Sequence, residues 1–161
     1  MTGRSAGAPT DCPVTPAPQT VHDQLTLQIK REPDSQRDPL PEHEALWVGH
    51  LRRTGAAKVR HCGYPGLVES AELLISELVT NALRYGTGAA VVFRLVLAAE
   101  AFVIEVDDGS PGRPQVREAG PDEESGRGML LVSAVADEWG VSPDGTRTWC
   151  ILKIPQVGQA S

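Results

Sequence analysis

The sequence predicts an α+β fold, a two-layer sandwich of helices on antiparallel strands, and three observations carry that reading. Residues 89–97 (AAVVFRLVL) and 101–108 (AFVIEVDD) are apolar, β-branched runs a few residues apart, as hairpin strands are. Residues 139–142 and 146–154 repeat the arrangement across Pro143-Asp144-Gly145, a good hairpin turn. The segments ahead of each pair, 67–84 and 126–138, return apolar residues at helical spacing. Helices and antiparallel strands grouped in this way form two layers around one core.

Taken in order, the chain begins with a region dense in proline: Pro9, Pro13, Pro16, Pro18, Pro33, Pro39 and Pro41. Mixed with Thr, Gln, Asp and Ser, such a stretch buries too little apolar surface to order itself, so residues 1–43 read as a flexible tail. Within it, residues 21–30 alternate weakly through Leu25, Leu27 and Ile29, an edge strand at most. The folded domain is expected over 44–157, with a short tail at 158–161. Residues 45–48 look extended or packed, Thr54 is a candidate cap for a short helix over 56–62, and Gly63-Tyr64-Pro65-Gly66 is a turn. The long helix over 67–84 stops at Gly86. Residues 113–125, polar and punctuated by Gly and Pro, form either a lid over a ligand or a plain surface loop.

Composition bounds the function. A chain of 161 residues holds one domain and not comfortably two, and its 40% hydrophobic content supports a real core. A net charge of -6 argues against direct nucleic-acid binding, and Arg52, Arg53, Lys58 and Arg60 read as a solvated helix face. Cys12, Cys62 and Cys150 share no metal-ligand spacing and read as ordinary reduced thiols. No apolar run approaches a membrane span, and the N-terminus lacks an apolar signal core, so the expectation is a soluble cytoplasmic protein.

Three stretches carry candidate chemistry. In 77–86 (ELVTNALRYG), Glu77, Asn81 and Arg84 fall within a narrow arc of the helix, opposite or lateral to Ala71, Ile75, Leu78, Val79 and Ala82. A carboxylate and an amide oxygen one turn apart suit a proton acceptor beside a hard cation such as Mg²⁺, although a lone E-x-x-x-N also describes a solvated face. In 102–108, Phe102, Ile104, Val106 and Asp108 share one strand face and Val103, Glu105 and Asp107 the other. Asp108 thus ends the apolar face, where it can accept a hydrogen bond from an exocyclic amine, and Gly109-Ser110-Pro111-Gly112 lets the backbone turn closely around a ligand or simply makes a turn. In 125–132 (SGRGMLLV), two glycines open an apolar helical pattern, leaving amides at a helix start as an anion site. The Walker pattern is absent, so any nucleotide site here is not a P-loop.

In their order and separations, ELVTNALRYG, VIEVDDGSP, SGRGMLLVSAVADEWGV and GTRTWCILKIP resemble the GHKL ATPase superfamily over roughly residues 44–155, most of all its anti-sigma-factor serine/threonine kinase-like branch. The resemblance implies a mixed, mostly antiparallel sheet covered on one face by helices, the Bergerat arrangement, with ATP between the layers. It implies Asn81 as the Mg²⁺ ligand, Glu77 as the catalytic group that accepts the attacking hydroxyl's proton, and Asp108 as the adenine-binding acid. Ser110, Gly126, Arg127, Gly128 and Met129 fall on its glycine-rich phosphate and pocket segments, and Arg84 and Tyr85 where a basic residue and a His are common. Two departures stand out. The family's D-x-G-x-G has its first glycine one place early here, which leaves Asp107 open beside Asp108, with strand parity favouring Asp108. The lysine-threonine pair usual on the last strand is replaced by Thr146-Arg147-Thr148, so no threonine role is assigned.

What the resemblance implies of function is a Mg-ATP-dependent kinase and anti-sigma factor. It would phosphorylate an anti-anti-sigma (STAS-like) antagonist and compete for an alternative sigma factor; homodimerisation is implied by the resemblance alone. The alternatives are an ATP-binding partner-switch module with little or no phosphoryl transfer, and a simple ATP hydrolase. With no H-box segment ahead of the ATPase-like region and no transducer domain after it, neither a self-sufficient sensor histidine kinase nor a topoisomerase-type ATPase is expected.

Overall fold

Alternation of apolar residues sets the sheet. The structure, a computed structural model, describes residues 21–32, 39–109 and 124–155, with the backbone alone at 21–22 and 124–128. Five strands, β1 (Val21–Lys30), β2 (Ala90–Ala98), β3 (Ala101–Asp107), β4 (Glu138–Val141) and β5 (Arg147–Lys153), form one sheet in the order β1-β2-β3-β5-β4. Every pairing is antiparallel, so the described sheet contains no parallel pair and is not mixed. Three helices, α1 (Glu42–His61), α2 (Val68–Tyr85) and α3 (Glu124–Val135), complete the α+β sandwich.

The core lies between the sheet and the helices. Val91, Phe93 and Leu95 of β2, Phe102, Ile104 and Val106 of β3, and Cys150 and Leu152 of β5 pack with Leu51 and Val59 of α1, Leu74, Ile75 and Leu78 of α2, and Val132 of α3. The opposite face carries a smaller apolar cluster, Val96, Val103, Trp149 and Ile151, and beside it Arg94 Nη1 donates to Glu105 Oε1 at 2.9 Å. Strand parity thus divides the residues between faces as the alternation predicts.

Three elements differ from expectation. β1, left in the flexible tail by its weak pattern, is a full edge strand with a ladder to β2 from Val21↔Ala98 to Lys30↔Ala90. The ladder supplies what the sequence pattern lacks, Ile29 is completely buried, and Asp23 pairs with Lys58 of α1 at 2.7 Å. The ordered fold therefore starts well ahead of residue 44. Residues 45–48 and 56–62 are not an extended piece and a short helix: α1 runs unbroken through Gly49 and Gly55. Gly55 is not a breaker but a contact point, since a β-carbon there would collide with Ile75 Cδ1, so α1 and α2 touch at that position. Finally, α3 ends at Val135 rather than 138, because the Asp137 amide donates to the Ile151 carbonyl at 2.9 Å and its carboxylate takes the Lys153 amide at 2.7 Å. These bonds turn the chain into β4.

Candidate functional site

Helix α2 supplies the first group of site residues. Its apolar residues Ala71, Leu74, Ile75, Leu78, Val79, Ala82 and Leu83 are buried, which leaves Glu77, Asn81 and Arg84 half-buried in a line along the helix. The Arg84 guanidinium stands 6.0 Å from the centre of the Tyr85 ring, at the edge of cation–π range, and Tyr85 itself is exposed. The helix closes with the Gly86 amide donating to the Ala82 carbonyl at 3.0 Å, while Gly86 turns extended and leads the chain into β2.

That exit is pressed against the end of β3. A β-carbon on Gly86 would lie 2.8 Å from Asp108 Cβ and 3.1 Å from its Cγ, and one on Gly88 would collide with the Asp108 carbonyl oxygen. Glycine is needed at Gly88 because the loop rides directly on Asp108, and at Gly86 because a β-carbon would strike both the Ala82 carbonyl, at 2.5 Å, and Asp108. The contact puts Asp108, half-buried, on the helix side of the sheet beside the end of α2. Asp107 behaves differently: its Oδ1 accepts the Gly109 amide at 2.9 Å, an Asx turn that occupies the side chain locally. The carboxylates of the Asp107-Asp108 pair thus have separate surroundings.

The start of β5 adds a residue that the sequence left unassigned. The Asp108 amide donates to the Thr146 carbonyl at 3.0 Å, and Thr148 stands opposite Val106 in the ladder. By alternation with Cys150 and Leu152, Thr148 faces the helices, half-buried two residues along from Asp108's level. Counting parity back from Cys150 in the sequence finds it. Thr146, by contrast, is committed to the β4–β5 turn, where its Oγ1 donates to Asp144 Oδ1 at 2.9 Å. The same Asp144 oxygen accepts from Ser142 Oγ at 2.6 Å and from the Thr146 amide at 3.1 Å, and these donors, the Ser142 hydroxyl first, pull its pKa down to about 2.

Gly126 and Gly128 lie near the N-terminal end of α3 as described, Glu124–Val135. Met129 is half-buried and packs on the core. Ser110 and residues 113–123 of the expected lid lie outside the described residues, as does the side chain of Arg127.

The α2–β2 loop, leaving the end of α2, therefore packs on the end of β3 at one corner of the sandwich, and α3 packs alongside α2. Glu77 and Asn81 are thus half-buried one turn apart on α2, and Asp108 is half-buried at the rim of the layer. The model of the histidine kinase-like ATPase domain family matches residues 31–152, and the chain belongs to that family. It is an ATP-binding domain of that kind. No curated protein matches the chain.

Proposed function

We propose that the protein is a Mg-ATP-dependent protein-serine/threonine kinase that acts as an anti-sigma factor in the cytoplasm. The observation that carries the reading is the pairing of Glu77 and Asn81 one turn apart on α2, half-buried, on a helix whose end is packed onto Asp108. Family membership supports the ATP site; the resemblance of residues 77–86, of Asp108 and of the glycines at 126 and 128 to the anti-sigma branch supports the kinase and its partners.

The donor chemistry fits magnesium. Among the described residues no group of three or more His, Cys, Asp or Glu could hold a metal, so the cation would rest on the Asn81 side-chain oxygen, nucleotide phosphates and water, a ligand set that Mg²⁺ favours. Once bound, the ion would neutralise charge on the phosphate oxygens. Asp108 accepts a hydrogen bond from the exocyclic amine of adenine, which selects the base. Glu77 takes the proton from the attacking seryl or threonyl hydroxyl; that oxygen bonds to the γ-phosphorus as the bridge to the β-phosphate breaks and ADP leaves. Arg84 offsets phosphate charge, and the amide of Gly126 with its first-turn neighbours receives phosphate at the start of α3.

The acceptor in this reading is a STAS-like antagonist. Phosphorylation adds about -1.5 to -2 charge at its docking surface and releases it, freeing the kinase, acting as a homodimer, to hold an alternative sigma factor. The test is incubation with γ-labelled ATP, magnesium and the candidate antagonist. Label on a serine or threonine of the antagonist is the expected result. Free phosphate alone identifies a hydrolase, and intact ATP retained on the protein a binding module; either outcome rejects the kinase reading.

A further inference from the structure

We propose that Arg31, at the end of β1, is a positioning residue for the nucleotide pocket: its guanidinium holds the α2–β2 loop and, through that loop, Asp108. The proposal rests on the ATP-site reading above and adds to it a residue distant from the three chemical motifs.

Arg31 reaches across the layers to two carbonyls. Its Nη2 donates to the Leu83 carbonyl at 2.8 Å and its Nη1 to the Gly88 carbonyl at 2.9 Å. The Leu83 carbonyl belongs to the last turn of α2, where helix carbonyls want outside donors and a cation is favoured by the dipole. The Gly88 carbonyl belongs to the loop. One planar fork therefore ties the helix end to the loop that leaves it, bracketing Arg84, Tyr85, Gly86 and Thr87.

The fork is itself held in place. The Arg31 amide donates to the Ala89 carbonyl at 3.0 Å, extending the β1–β2 ladder past Lys30. The next amide, that of Glu32, donates at 2.8 Å to Oε2 of Glu44, whose side chain is completely buried in the first turn of α1. β1, α1 and α2 are thus joined around Arg31. On the far side of the loop there is no slack: Gly86 and Gly88 lie against Asp108 so closely that a β-carbon at either would strike it. A loop released from Arg31 moves relative to Asp108, and the acid loses its register with the adenine edge.

Three readouts test this on the full chain. The first needs no nucleotide: in Arg31→Ala, amide hydrogen exchange at Gly86 and Asp108 should accelerate, and unchanged exchange there overturns the proposal. The second is titration with Mg-ATP and Mg-GTP. Loss of two charge-assisted bonds should lower ATP affinity about tenfold and shrink the preference for ATP over GTP by a similar factor. Unchanged affinity and preference in a folded variant overturn the proposal. The third is a double-mutant cycle with Asp108→Asn. If Arg31 acts through Asp108, Arg31→Ala adds less than about threefold in that background, whereas full multiplication of the two effects marks a merely structural role and overturns it.

Arg31→Lys covers the case of an Ala variant that does not fold. Its ammonium keeps the charge at the helix end but cannot fork to both carbonyls, so it should still lose most of the base preference, and a Lys variant that matches the wild type rejects the proposal. If the wild-type chain itself retains no ATP, the pocket reading fails, while the exchange measurement in the free protein still decides whether Arg31 holds the loop.

Discussion

Glu77 and Asn81 stand one turn apart on the same helix, yet the proposed mechanism gives them separable duties. Asn81→Ala should abolish Mg-dependent ATP binding, whereas Glu77→Ala should leave binding within about threefold and lower phosphoryl transfer by about 10²–10⁴. Calorimetry with and without magnesium, alongside transfer rates, checks both; equal ATP affinity in wild type and Asn81→Ala would remove the metal assignment. Asp144 gives a prediction independent of nucleotide. Its carboxylate is held at about 2, below its ordinary 3.8, chiefly by the Ser142 hydroxyl. A depressed folded pKa means a contribution fully present above the unfolded value and lost as pH falls through the folded one. Acid unfolding followed by circular dichroism should therefore be less steep in Asp144→Asn between 3.8 and about 2 than in wild type, with identical acid limbs the contrary result.

Among the elements, α1 is where local signals and packing disagree. Gly49 and Gly55 look alike in sequence, but a β-carbon at Gly49 meets only the tip of the Arg53 side chain at 3.2 Å, while one at Gly55 meets buried Ile75. Gly49→Ala should stabilise by up to about 1 kcal/mol through helix propensity. Gly55→Leu should destabilise by about 1–3 kcal/mol through overpacking between α1 and α2. Urea midpoints for the two variants, shifted in opposite directions, are the expected result; a Gly55→Leu variant as stable as wild type would deny the close crossing. The α2, β2, β3 and β5 elements were legible because their apolar period is strong and matches their burial. α1 was not, since glycine at a helix–helix contact carries the same letter as glycine at a break. β1 was not either, because an edge strand owes its order to the partner ladder.

At the scale of the whole molecule, the layer order was legible and so was the place of Asp108 on the helix side of the sheet, since strand parity puts it there. The residues that brace the corner were hidden. Arg31 meets Leu83 and Gly88 across 52 and 57 positions of sequence, and Glu44 meets Glu32 through a buried carboxylate no local pattern announces. An ATP site formed by the native fold and absent from the unfolded chain must stabilise the fold by mass action. With Mg-ATP at a hundredfold excess over its dissociation constant the gain is about 2.7 kcal/mol, a melting temperature raised by about 5–10 °C. A thermal scan that shows no rise at millimolar Mg-ATP would count against the pocket as a whole.

The place of β1 at the rim of the sheet has a practical side. A fragment that begins at Glu44, where helical and strand signals first become strong, discards Val21–Lys30 and strips β2 of its neighbour along all nine residues. The bared row of amides and carbonyls would then recruit strands from other molecules, so such a truncation should elute as aggregate on a sizing column while a chain that keeps residues 21–32 does not.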